Sequence, residues 1–331
     1  MKNKMVRLED IAHRAGVSIT TVSHVINKTR YVKQETRELV LKILEEMEYD
    51  FKESKSKPKQ VISRFIGVIV ADITEDYYIS IVKAIETYAS EQSFSILLCD
   101  SENDAEKEKR NIKNILDRGV DGLILSPVNC ERYPREIKEA SIPVVFVDRK
   151  YNKHDKVFVG INNFESGYIG TKHLFSKGCR SIAFIGYDET VYTVRQRAMG
   201  YRDCLNELLS ECVPQELKLN YRQEDSNKLI REFMAKVKPD GVLCVTADIC
   251  YQLIGSLQEM GVNIPEQVQI VTYDDNKWLD YLKFPVSVIT QPTSEIGFTA
   301  IDILVRMILH PENRKMIGTD MFLETGFIDR F

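Results

Sequence analysis

The chain has 331 residues, 44% of them apolar and 28% charged, with a formal net charge of −4. That composition excludes a disordered or fibrous polymer and supplies enough apolar side chain for two or three compact units. The charge is uneven: residues 1–60 hold 13 Lys and Arg against 9 Asp and Glu, about +4, which leaves about −8 on the rest. The overall acidic balance argues against a nucleic-acid binder, but a modestly basic head on an acidic body suits a DNA module joined to something else.

The seven cysteines, Cys99, Cys130, Cys179, Cys204, Cys212, Cys244 and Cys250, are odd in number and hold no C-x-x-C pair. Several sit in apolar runs, so they read as small buried hydrophobes in a reducing compartment, with no metal and no cofactor implied. No stretch approaches a membrane span, and the N-terminus is a polar helix rather than an apolar signal core. A cytoplasmic protein with no membrane partner is expected.

In chain order, residues 8–27, LEDIAHRAGVSITTVSHVIN, predict helix, turn and helix. Leu8, Ile11, Ala12 and Ala15 form one apolar stripe at i, i+3, i+4 and i+7. Gly16 suits a left-handed turn, and Ser18 is a candidate N-cap for the second helix. That helix hides Val22 and Ile26 and turns Ile19, Thr20, Ser23, His24 and Asn27 outward, a compact polar face able to enter a DNA major groove. Taken alone, the pattern also fits an ordinary helical hairpin. A third helix over 34–47 has Val40, Ile43, Leu44 and Met47 as its stripe, and the loop before it offers Lys28, Arg30 and Lys33 to phosphates. Residues 50–64, DFKESKSKPKQVISR, are poor in apolar side chains and carry Pro58, so a linker is expected at 51–63 after a headpiece at 1–50.

From residue 64 to 331 the texture changes. Apolar runs at 65–71, 95–99, 122–126, 143–148, 157–161, 181–186, 241–246 and 268–274 alternate with amphipathic helical stretches. Such a pattern predicts an α/β body with parallel sheets covered on both faces. Its size favours two similar halves, an N-lobe at about 64–161 plus 293–320 and a C-lobe at about 162–291 plus the C-terminal strand. In such folds ligands bind outside the carboxyl ends of the strands, here in a cleft between the halves.

Several of these segments together resemble the lactose-repressor/galactose-repressor (LacI/GalR) family of bacterial transcription regulators. The resemblance begins with LEDIAHRAGVSITTVSHVIN and continues through TREL, EEMEY, IGVIVADI, GVDGLIL, PVVFVDR, IAFIG, RQRAMGYRDCL, EMGVNIPEQVQIVTYDD and SVITQP, in family order almost to the C-terminus. It implies a helix-turn-helix headpiece, a two-lobed periplasmic-binding-protein-like (type I) body, a homodimer on palindromic operator DNA, and an operator affinity set by a small molecule in the cleft. A solute-binding protein without operator function is the competing reading. The chain stops at GFIDRF without the leucine heptads of a tetramerising tail, so a dimer is the expected limit.

Carried over by position, Ile19, Thr20 and His24 are expected at base edges, with Arg7, Ser18, Thr21, Ser23, Asn27 and Arg30 completing the DNA-facing set. His24 stands where arginine is commoner, and an imidazole gives guanine one hydrogen bond rather than a bidentate fork. In the linker Phe51 replaces the usual proline, and Lys55, Lys57 and Pro58 occupy the hinge-helix region. Proline late in a helix removes a donor and clashes, so no hinge helix with a leucine wedge is expected; Lys52, Lys55, Lys57 and Lys59 are expected on phosphates.

The effector residues implied by the resemblance are Tyr77, Tyr78, Ser126, Arg149, Asn163, Thr193, Arg197, Asp274 and Gln291. Of Tyr77 and Tyr78, one is expected to pack inward. The Arg197 fork suits vicinal hydroxyls, a carboxylate or a phosphate, and Asp274 can accept from two adjacent hydroxyls. The effector is therefore expected to be a sugar, sugar acid or sugar phosphate, the anionic forms resting on Arg149, Arg195 and Arg197. Two departures, Ala247-Asp248 for Asn-Asp and Thr272 for glycine, argue against binding in the manner of the lactose or purine repressors. No P-loop, dinucleotide, zincin or nucleophile-elbow motif is present, so no enzyme is expected.

Overall fold

The computed structural model describes residues 8–27, 32–47, 62–209, 212–221, 225–312 and 320–331. The chain divides into two compact units, residues 1–62 and 63–331.

In the first unit, α1 (Leu8–Ala15), α2 (Ile19–Asn27) and α3 (Gln34–Glu46) share a small core of Ile11, Ala12, Ala15, Val22, Val25, Val40, Ile43 and Leu44. Gly16 turns the chain at φ +64°, a conformation costly for a side chain with a Cβ. The apolar face of α2 is built on Val22 and Val25, and Ile26 is only half-buried beside them. The contact with α1 and α3 is thus centred one residue earlier than the expected Val22/Ile26 stripe. The linker and its lysines up to Lys59, together with Arg7 and Arg30, lie outside the described residues.

Among the described residues the second unit holds two six-stranded sheets. Its elements in order are β1 (Phe65–Val70), α4 (Asp76–Glu91), β2 (Ser95–Asp100), α5 (Ala105–Asp117), β3 (Gly122–Leu125), α6 (Arg135–Lys138), β4 (Val144–Val147) and β5 (Val157–Ile161). Then come α7 (Asn163–Ser176), β6 (Ile182–Gly186), α8 (Tyr192–Leu208), β7 (Gln215–Lys218), α9 (Ser226–Val237), β8 (Gly241–Cys244), α10 (Ala247–Glu259) and β9 (Gln269–Tyr273). A 3-10 turn over Lys277–Tyr281, β10 (Ser287–Thr290), α11 (Thr293–Leu309), β11 (Asp320–Leu323) and β12 (Gly326–Ile328) complete it. The strand orders are β11-β5-β4-β3-β1-β2 and β12-β10-β9-β8-β6-β7. All pairings are parallel except β12 against β10. The chain crosses between the sheets after β5, after β10 and again between β11 and β12.

β7, sequence QELK, carries no apolar run and is invisible to a reading based on such runs. It can be polar because it lies at a sheet edge with a single neighbour, β6.

The two lobes repeat one device at the amino ends of their strands. The Asp121 carboxylate, just before β3, accepts from the Ser63 and Arg64 amides at 2.9 and 2.7 Å and from the Ser63 hydroxyl at 3.0 Å. Asp240, just before β8, accepts from the amides of Arg180 and Ser181 at 2.9 and 2.8 Å. Each aspartate satisfies backbone donors of the chain entering the neighbouring strand. Helices α7 and α8 cross closely over the second sheet. A Cβ on Gly200 would stand 2.0 Å from the Phe164 carbonyl, and one on Gly167 2.3 Å from that of Arg197. Only glycine admits that approach.

Candidate functional site

The first site is the exposed face of α2. Ser18 precedes the helix, and its Oγ accepts from the Thr21 amide at 3.1 Å and pairs with the Thr21 hydroxyl at 2.8 Å. The cap fixes the start of α2, a contribution of about 1 kcal/mol. Ser18, Ile19 and Thr20 are exposed, and Thr21, Ser23 and His24 are half-buried behind them. An apolar side chain left 47% exposed at a helix start, as Ile19 is, suits contact with another surface such as a thymine methyl. Asn27 ends the helix.

The second site lies where the carboxyl ends of β1, β6, β7, β8 and β9 converge. A cavity of about 450 Å³ opens there between the two lobes. Its carboxylates are Asp72, Glu75, Asp76, Asp248 and Asp274, and its rings are Tyr77, Tyr187, Tyr221, Tyr251 and Trp278. The lobes touch directly across it. The Tyr221 hydroxyl donates to Asp72 and, at 3.2 Å, to Glu75, while Asn276 donates to Asp76 at 3.2 Å. Burial pushes the Glu75 carboxyl up to about 7, against the pull of Arg149, with Asp148, Asp72 and Asp274 adding to the rise. Burial likewise pushes Asp274 up to about 6 while Arg197 and Gln291 oppose it.

Of the residues expected from sequence, Tyr77 and Asp274 line this cavity, and Gln291 lines an adjoining recess with them. Tyr78 points inward. Its hydroxyl donates to Asp148 at 2.7 Å and pairs with Ser126 at 3.0 Å, which places Ser126 in a buried network of the N-lobe. Arg149 belongs to the same network: it donates to Asn103 at 2.7 Å and lies 3.4 Å from the Asp148 carboxylate. Thr193 is buried at the start of α8.

Arg197 is 4% exposed. Its Nε donates to Asn163 Oδ1 at 2.8 Å, one Nη to the Val245 carbonyl at 2.6 Å and the other to Gln291 at 3.3 Å, and the guanidinium stacks 3.6 Å over Tyr273. Asn163 follows the first crossover and Gln291 the second, and Gln291 donates onward to Asp274 at 2.8 Å. One cation therefore ties together two of the three inter-lobe connections and the floor of the cleft. Arg195 is held by Glu131 and the Glu189 carbonyl, at 2.8 and 2.9 Å. All three arginines expected to meet an anion have protein partners.

Sequence reasoning passed over Asp72, Glu75, Tyr187 and Tyr221. Asp72 and Tyr187 follow apolar strand runs almost immediately, a position that could have marked them. Tyr221 follows the polar edge strand β7, which gave no such cue. Thr272, in place of glycine, donates to the Thr246 carbonyl at 3.2 Å, and the Thr246 hydroxyl in turn caps α10. Among the described residues no helix is long and apolar enough to cross a membrane.

Comparison with known proteins identifies the two domains that carry these sites. The model for bacterial regulatory proteins of the lacI family matches residues 7–50, and that for the periplasmic binding protein domain matches residues 66–312. The transcriptional repressor PurR of Pasteurella multocida (strain Pm70) is 30% identical over 321 residues, 95% of each chain. Among solved structures, the transcriptional regulator CelR in complex with cellobiose is 24% identical with TM-score 0.71, covering 98% of this chain and 99% of that one. The regulator CcpA of Lactococcus lactis is 23% identical with TM-score 0.73, covering 80% of this chain and 97% of that one. The chain belongs to the lacI family of bacterial regulatory proteins: a DNA-binding transcriptional regulator with a helix-turn-helix headpiece and a two-lobed ligand-binding body.

Proposed function

We propose that the chain is a cytoplasmic repressor that binds a palindromic operator as a homodimer, and that a small polyhydroxylated molecule in the inter-lobe cavity sets its affinity. Ile19, Thr20 and His24 on α2 read bases, with the Ser18 turn and the flanking polar residues positioning the helix on phosphates. In the cavity, Tyr77, Asp274 and Gln291 meet the ligand from the expected set, joined by Asp72, Glu75, Tyr187 and Tyr221. Tyr78, Ser126, Asp148 and Arg149 hold the N-lobe wall from behind, and Asn163 and Arg197 brace the crossovers.

The observation that carries this reading is the set of direct bonds across the cleft, Tyr221 to Asp72 and Glu75 and Asn276 to Asp76. A ligand entering the cavity replaces these bonds with its own. It therefore has a different affinity for different lobe angles, which is the condition for shifting an equilibrium, and the coupling to operator is reciprocal. The test is selection of an operator from randomised palindromes, followed by gel shifts with and without a panel of sugars and sugar derivatives. Selection of one palindrome whose affinity changes with one ligand class supports the reading. Ligand binding with no operator selected would leave a ligand-binding protein alone.

A further inference from the structure

We propose that the ligand is cationic: an amino sugar, bound as its ammonium form, with the charge held by the cleft's carboxylates. The inference rests on the reading of the cavity as the effector site and adds the chemistry of what enters it.

Two independent observations carry it. The first is the composition of the wall. Among the described residues, five carboxylates line one cavity of about 450 Å³, and no lysine, arginine or histidine is in that lining. The guanidinium groups that act on these acids, Arg149 on Glu75 and Arg197 on Asp274, stand behind the wall with protein partners of their own. One or two carboxylates suffice to accept from the vicinal hydroxyls of a neutral sugar. Five in one half-closed space repel one another, and a phosphate or carboxylate entering it would add to that repulsion. An ammonium group relieves it.

The second observation is an orphaned polar atom. Tyr77, 8% exposed, forms part of the wall, and its hydroxyl is buried with no hydrogen-bond partner. A buried hydroxyl left unpaired costs about 1–3 kcal/mol, so it marks a place where a polar ligand group is awaited. The rings of Tyr187 and Tyr221, with centroids 5.1 Å apart, and those of Tyr251 and Trp278, 5.6 Å apart, complete the enclosure. Aromatic faces pack on the C–H side of a sugar ring and also attract a cation, so wall and floor select the same molecule.

The test uses the full chain. Isothermal calorimetry compares glucosamine, galactosamine and mannosamine with their N-acetyl forms, the parent hexoses and the hexose 6-phosphates. The expected result is that at least one amine binds tenfold or more tighter than both its N-acetyl form and its parent sugar. Asp76→Asn and Asp248→Asn, at exposed positions that leave the fold intact, should each shrink that advantage several-fold. Tyr77→Phe should weaken the same amine without lowering thermal stability. Failure of every amine, or a neutral or phosphorylated hexose binding as tightly, overturns the inference. Gel shifts on the selected operator separate this from failure of the underlying reading. If a neutral or phosphorylated sugar changes operator affinity and the amines do not, the ligand-controlled regulator stands and the cationic ligand falls. If no bound ligand changes it, the regulatory reading fails as well.

Discussion

Asp148 and Asp274 stand at the same place in the two lobes, one residue beyond β4 and β9, and both adopt left-handed backbone, at φ +62° and +66°. Each amide donates to the neighbouring strand, at 3.1 Å to Val159 and 3.0 Å to Ile289. Aspartate tolerates this conformation better than most residues, and a left-handed residue at a strand end swings its side chain out of the alternating pattern. Asp148 is then fixed by the Tyr78 hydroxyl and Asp274 by the Gln291 amide. One device is thus repeated in both lobes, with Asp274 lining the cavity and Asp148 buried behind the opposite wall.

Arg197 braces the first two crossovers, so its removal should affect more than ligand contact. Arg197→Ala leaves the Asn163 and Val245 oxygens without their donor and should cost the body about 3 kcal/mol. Arg197→Lys keeps the charge but not the three divergent donors and should recover less than half of this. Both should retain operator binding and lose the effector response. Urea denaturation and ligand-dependent gel shifts check the two parts. A full effector response in a stable Arg197→Ala protein would reject the bracing role.

The α7/α8 crossing makes a steric prediction. Gly200→Ala places a methyl against the Phe164 carbonyl, which backbone cannot avoid without separating the helices. The expected cost is about 3 kcal/mol in thermal or urea unfolding. Gly255→Ala, at a helical glycine with open space around its Cβ position, is the control and should be neutral or stabilising.

Glu189 gives a pH signature. Hydrogen bonds from Arg202 and Lys218, both at 2.7 Å, hold its carboxyl down at about 2. A depressed carboxylate stabilises the fold above its unfolded value, near 4.5, and the contribution is lost as pH falls through about 2. After allowance for solvent screening, Glu189→Gln should cost about 2 kcal/mol at pH 7 and close to nothing near pH 2. Comparing unfolding free energies of the two proteins across that range is the check.

In the headpiece, His24 is expected to donate one bond to a base. His24→Ala should lose about 1 kcal/mol at one base pair in each half-site and little elsewhere. Equal losses for every single-base operator variant would instead make His24 a positioning residue.

The fold was legible because its central strands are buried on both faces and read as unbroken apolar runs; Ile66–Ala71 and Val144–Val147 are buried throughout. The cleft was legible only in part. Asp274 directly follows the apolar run of β9 and Tyr77 lies in the first turn of α4 after that of β1, whereas Tyr221 follows an edge strand that need not be apolar. Arg197 is the instructive residue. Its position in the RQRAMGYRDCL segment identifies a functional neighbourhood, but no sequence pattern tells whether a guanidinium faces a ligand or finds Asn163, Val245 and Gln291 first. Those partners come from three separate stretches of chain.

The grip of Asp121 on Ser63 and Arg64 has a mechanical consequence. It pins Ser63 and Arg64, where the second unit begins, to the amino end of the first sheet, while the cavity lies at the carboxyl ends. The six residues of β1 separate the two by about 20 Å. A molecule in the cleft therefore touches none of the atoms that launch the linker. Whatever reaches them has to pass through the sheet of the N-lobe, with Asp121 as the clamp at its far end.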